Sequence, residues 1–272
     1  MAKRLARKDS RVAIDLKPTG ENHDSTVHVP QREKIAFQLS IRERQDLTER
    51  QKVILEAALD KDTRCIMIDG IWGTAKSYTA TLAALRLLHA GRVKSILYVR
   101  SPVEASVHSR IGFLSGDLSE KMAPYTAVLN EKLEELLPKG DIDRLIKDER
   151  IQCIPTGFLQ GRSYNCAAII VDEAASMSWE DLMLIISRCG QFTRIFFLGD
   201  TVNQVYLSDK SGYARFVQCF SDMESKENGI YTFELREEHD IVRSPFLRFV
   251  MRKVGVIRNS AGQPAEPMFP AK

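Results

Sequence analysis

The stretch Cys65 to Ser77, CIMIDGIWGTAKS, leaves a chain of this kind few folds to choose from. Cys65-Ile66-Met67-Ile68 is a short apolar run, which predicts a buried strand. Tyr78 to His89 is rich in Ala and Leu and predicts a helix. Between them, Gly70-Ile71-Trp72-Gly73-Thr74-Ala75-Lys76-Ser77 supplies a glycine-containing turn that opens the helix on Lys-Ser. Strand, turn and helix in that order are the context of a phosphate-binding loop. Backbone N–H groups of the turn and of the helix N-terminus then form a concave anion site. In this reading Lys76 reaches the β and γ phosphates as a point charge, and the Ser77 hydroxyl ligates Mg²⁺. The pattern G-x-x-x-x-G-K-[ST] has Gly where this chain has Ala75. A negative φ there would make the methyl cheap, whereas a positive one adds strain on the order of 1–2 kcal/mol.

Apolar strand patterns alternate with helical ones on either side of this loop. Thr48 to Leu59 reads as a helix with Thr48 as its N-cap, and Gln51 within it is placed to read an adenine edge. Strands are predicted at Ser95–Val99, Ile151–Ile154, Cys166–Val171, Arg194–Leu198 and Ile230–Phe233. Helices are predicted near 119–137 and at Trp179–Ser187, Gly212–Phe220 and Pro245–Val254. Such alternation predicts an α/β fold, a mostly parallel sheet with helices on both faces. A further short strand is predicted at Ile35–Ile41. Residues 1–45 read as a basic, partly flexible arm, 46–258 as the folded domain, and 259–272 as a Pro-rich flexible tail.

Composition excludes more than it proposes. The 272 residues are 44% hydrophobic and 28% charged, enough for a sizeable core, and no apolar run approaches the length of a membrane span. Five scattered cysteines form no C-x-x-C pair. Three of them lie in apolar runs and read as buried thiols, which suits a reducing cytoplasm. The net charge of +3 is too small to argue for nucleic acid by itself, so any such contact needs a local patch.

Two further stretches carry chemistry. Ala167 to Glu173 is a buried strand ending in two acids, which puts both carboxylates where open α/β sheets bind ligands. Asp172 is the expected Mg²⁺ partner through water, and Glu173 the residue that orients or activates the attacking water. Phe196-Phe197-Leu198-Gly199-Asp200 ends beside the same crevice, and Gln204, able both to donate and to accept, is the expected γ-phosphate sensor.

In these residues the chain resembles the PhoH-like ATPases, a branch of the RecA-like P-loop NTPases. The resemblance runs from Thr48 to Arg252. It is carried by Arg100–Ala105, Gly112–Lys121, Gly161-Arg162-Ser163, Asp172-Glu173-Ala174, Gly199-Asp200 with Gln204, and Asp240-Ile241-Val242-Arg243. The short region before Thr48 suggests a compact, phage-type member. The resemblance implies ATP hydrolysis coupled to RNA or single-stranded DNA in an oligomeric ring, a hexamer. A chain with one such core would take its arginine finger from a neighbour, with Arg243 acting in trans. ATP would be held by Gln51, Gly70, Trp72, Gly73, Thr74, Ala75, Lys76, Ser77, Tyr78 and Arg162. Trp72 either packs under the loop or stacks on a base, packing being the expectation. Nucleic acid contact is expected around Arg100, Arg110, Phe113 and Lys121. Some relatives add a nuclease domain with clustered acids, and nothing before residue 48 supplies one. The rival reading is a nucleotide-gated scaffold with little turnover, and a small-molecule kinase is a weaker third.

Overall fold

The computed structural model describes residues 38–100, 118–159, 161–202, 211–255 and 257. Six strands form one sheet: β1 (Cys65–Gly70), β2 (Ser95–Arg100), β3 (Ile151–Pro155), β4 (Ala167–Asp172), β5 (Arg194–Gly199) and β6 (Ile230–Leu235). Their order is β3-β2-β4-β5-β1-β6, and every pairing is parallel. All six carboxyl ends therefore meet at one edge. β5 is inserted between the loop-bearing β1 and the acid-bearing β4, an order the sequence does not announce.

The helices are α1 (Glu49–Leu59), α2 (Lys76–His89), α3 (Leu118–Leu136), α4 (Lys139–Lys147), α5 (Trp179–Ser187), α6 (Tyr213–Cys219), α7 (Met223–Glu227) and α8 (Pro245–Lys253). The strands are buried on both faces, and alternate residues feed two cores. Ile66, Ile68, Ile96, Tyr98, Ile170 and Phe196 pack with α1 to α4. Met67, Leu97, Ile169, Val171, Ile195 and Phe197 pack with α5 and α6. A small third cluster joins Ile71, Ile241, Met251 and Leu247, tying α8 to the segment after β1.

Two expectations at the N-terminal side are corrected. Residues 38–41 form no strand; the part of that prediction before residue 38 lies outside the described residues. Residues 38–45 also belong to the domain and not to an arm. Leu39 is buried, Arg42 N–H donates to Leu136 O at 2.8 Å, and Arg44 N–H donates to the Tyr78 hydroxyl at 2.8 Å. The segment has no periodicity because it satisfies its backbone against α2 and α3 one group at a time. Of the cysteines, only Cys65 and Cys166 are buried, and all five are outside disulfides. Among the described residues no helix is long and apolar enough to cross a membrane.

Candidate functional site

The turn after β1 closes over the N-terminus of α2. Ala75 is the N-cap of that helix at φ 56°, ψ 31°, makes no side-chain cap, and no acid occupies the first turn. The first N–H groups of α2 are thus left without side-chain acceptors, at the positive end of the helix dipole. The φ of Ala75 is the strained alternative anticipated from the sequence. Gly73 has φ 81°, and a Cβ there would lie 2.4 Å from Leu247 Cδ2. Its carbonyl accepts from the N–H groups of Val242 and Arg243 at 2.9 and 3.2 Å. The loop is in this way clamped to the segment that leads into α8.

Lys76 Nζ donates to the carbonyls of Gly70 and Ile71 at 2.6 and 3.0 Å. Burial lowers its pKa, partly opposed by Asp200, Glu173, Asp172 and Asp69. Ser77 Oγ donates to Asp172 Oδ1 at 3.2 Å, across 95 residues of sequence. Asp172 also accepts from the Glu173 N–H at 3.1 Å and from the Tyr98 hydroxyl. Glu173 sits at φ 54°, an uncommon conformation for a residue with a side chain. Its carboxylate lies 3.8 Å from the Arg100 guanidinium. Trp72, Lys76, Ser77, Asp172, Glu173 and Arg243 all line one cleft of about 560 Å³, which Arg44, Tyr78 and Glu135 line as well.

Adjoining the cleft, which Asp200 also lines, is a cluster that sequence reading did not assemble. Arg236, just after β6, is 7% exposed, and Asp69 and Asp200 are each 3% exposed. The guanidinium pairs with Asp69 and, at 3.2 Å, with Asp200. It also donates to Thr201 Oγ1 at 2.7 Å. Burial opposes the charge on Arg236, but the two carboxylates together raise its pKa. The cluster ties the carboxyl ends of β1, β5 and β6 together. Asp69 is the one member that stands inside the loop motif, and it could have signalled a buried partner.

Several expected roles change. Gln51 does not face the cleft: it is fully buried. Its Oε1 accepts from the Thr48 N–H at 3.0 Å and its Nε2 donates to Thr74 O at 2.9 Å. It completes a capping box and braces the phosphate loop, so both ends of the amide are already committed. Thr74 is buried likewise, its hydroxyl donating to Ile71 O at 2.8 Å. Trp72 is 43% exposed at the cleft and not packed beneath the loop. Arg162 is exposed, just after the turn at Gly161, and is not among the cleft-lining residues. Arg243 lines the cleft of its own chain. Gln204, Arg110 and Phe113, and the side chain of Lys121, lie outside the described residues.

A family model described as PhoH-like protein matches residues 44–254. A PhoH-like protein of Bacillus subtilis is 33% identical over 177 residues, 64% of this chain and 53% of that one. A PhoH-like protein of Synechocystis sp. is 27% identical over 223 residues, 81% of this chain and 65% of that one. The chain therefore spans about half to two thirds of the length of these curated relatives. Among solved structures, the large terminase of a thermophilic bacteriophage aligns over 82% of this chain and 53% of that one, with 10% identity and a TM-score of 0.45. That likeness is too remote to bear on function. The family match spans well over half of the sequence, and the chain belongs to the PhoH-like protein family.

Proposed function

We propose that the chain hydrolyses ATP with Mg²⁺ in this cleft and couples hydrolysis to RNA or single-stranded DNA. The observation that carries the reading is the contact of Ser77 with Asp172 beneath the first turn of α2. It brings the two oxygens expected at a metal side by side, at the place where phosphates would meet unsatisfied backbone N–H groups. The donor set fits Mg²⁺, a hard cation that takes one or two carboxylate or hydroxyl oxygens and relies on substrate phosphates for others. When bound, Mg²⁺ would neutralise charge on the β and γ phosphate oxygens.

The protein's own groups supply the rest. Lys76 exchanges its loop carbonyls for phosphate oxygens. Glu173 accepts the proton of the attacking water. Arg243 supports this work in cis, from the rim to which Gly73 fixes it. Trp72 offers an exposed ring for the base to stack on. A hexameric ring rests on the family resemblance, and a subunit count with and without ATP tests it. Cytoplasmic residence belongs to the same proposal.

The pair formed by Arg100 and Glu173 gives coupling a physical form. Nucleic acid phosphates that draw Arg100 away remove one charge partner from the Glu173 carboxylate and make it a stronger base toward water. Steady-state phosphate release from Mg-ATP tests both parts. Wild type turns over, whereas Glu173→Gln loses roughly 10²–10⁴-fold in rate and still binds ATP. RNA or single-stranded DNA raises the wild-type rate, and Arg100→Ala raises the basal rate while abolishing that stimulation. Equal and negligible rates for wild type and Glu173→Gln would instead indicate a scaffold that binds ATP without turnover.

A further inference from the structure

The opposite edge of the sheet carries a second concentration of charge. Lys61 follows α1, Arg64 precedes β1, Arg92 follows α2 and Arg194 opens β5. With Leu87, Val93 and Phe192 they line a cavity of about 120 Å³. The six-residue strands β1 and β5 separate it from the phosphate loop by about 20 Å.

Helix capping accounts for part of this cluster. Arg92 Nη1 donates to Leu59 O and Arg194 Nη2 to Asp60 O, at the C-terminal end of α1 where the helix dipole favours cations. Capping leaves the rest unexplained. Arg194 is 6% exposed, and its Nη1 is buried without a hydrogen-bond partner. A buried donor with no acceptor is costly. Burial first, then repulsion from Arg92 and Arg64, lowers the Arg194 guanidinium to about 10; Asp60 and Asp62 offset this only in part. Among the described residues, none of the four cations forms a salt bridge.

We infer that this cavity is a binding site for a single phosphoryl oxyanion, held by Arg194 and Arg92 with Lys61 and Arg64 at its mouth. Guanidinium forks match the geometry of phosphate oxygens, and a bound dianion would relieve the mutual repulsion. The cavity suits one tetrahedral group and is far too small for a nucleotide, which the 560 Å³ cleft would accommodate. The phosphoryl group comes either from inorganic phosphate or from the terminus or backbone of a nucleic acid strand.

Calorimetric titration of inorganic phosphate into the Lys76→Ala variant, at constant ionic strength, tests the site with the nucleotide cleft silenced. Binding is expected to persist there and to weaken roughly tenfold, about 1.4 kcal/mol, when Lys61→Gln or Arg92→Gln is added. Lys61 is exposed, so its variant keeps the fold, and in the wild-type background Lys61→Gln leaves ATP hydrolysis unchanged. Displacement of phosphate by a 5′-phosphorylated single-stranded oligonucleotide identifies nucleic acid as the source; no displacement identifies the free anion. Absence of phosphate binding in Lys76→Ala, or binding indifferent to both further substitutions, overturns the inference.

Discussion

Arg236 is the side chain whose loss should be felt most. Arg236→Met would remove the guanidinium that Asp69 and Asp200 share and leave two carboxylates, each 3% exposed, without their ion-pair partner. Breaking a buried ion pair from one side costs about 3–5 kcal/mol, because the remaining charge is desolvated and uncompensated. A domain of ordinary stability has only about 5–15 kcal/mol in total. Urea unfolding followed by tryptophan fluorescence at pH 8 should therefore show a midpoint lowered by about 1–2 M, taking a slope of about 2–3 kcal/mol per M. The sign of the pH dependence follows from the charges. In the variant, protonating a carboxylate that has lost the guanidinium relieves its desolvation, so the variant's folded state takes up protons more readily than its unfolded chain does. The gap between wild type and variant should therefore narrow as pH falls from 8 to 5. Adding Asp69→Asn and Asp200→Asn should recover much of the loss. A deficit below about 1 kcal/mol, or one equal at both pH values, would refute the argument that the cluster holds the three strand ends by charge.

Other substitutions probe the loop itself. Ala75→Gly relieves a left-handed φ costing about 1–2 kcal/mol, loses about 0.4–1 kcal/mol to unfolded-chain entropy, and should leave the protein about 0–1.6 kcal/mol more stable by thermal unfolding. Gln51→Ala removes both the capping box and the brace on Thr74 O, and should cost about 2 kcal/mol while weakening nucleotide binding at the loop. Tyr98→Phe deletes the hydroxyl that donates to Asp172. It should raise the Mg²⁺ concentration needed for half-maximal hydrolysis more than it changes the ATP requirement. Because burial holds Lys76 below its ordinary 10.5, the folded chain releases that proton first. Stability should then rise with pH between the lowered value and 10.5, and Lys76→Met should flatten that rise.

Much of the fold was legible because strands buried on both faces are written as short apolar runs, and all six were predicted to within about two residues. α4 and α7 were not anticipated. α4 is strongly amphipathic and begins at Pro138-Lys139-Gly140, which reads as a turn. α7 is five residues long, too short for a period to show. Within the site, Lys76, Ser77, Asp172 and Glu173 could be named from local patterns, since each ends a strand or opens a helix. Gln51 was misassigned because an amide near a phosphate loop looks the same in sequence whether it faces a base or caps a helix. Only the geometry of Thr48 and Thr74 separates the two.

Local sequence, then, marked the six strands and most of the helices, and it singled out the candidates for phosphate and metal contact. That information lies within a few neighbours of each residue, in hydrophobic period and turn composition. Tertiary structure alone decided that β5 lies between β1 and β4, that Arg236 joins Asp69 to Asp200 across 167 and 36 residues, and that Arg243 returns to Gly73 of its own chain. These are contacts between distant segments, fixed by how a parallel sheet orders its strands and satisfies its buried charges, and no local pattern records them.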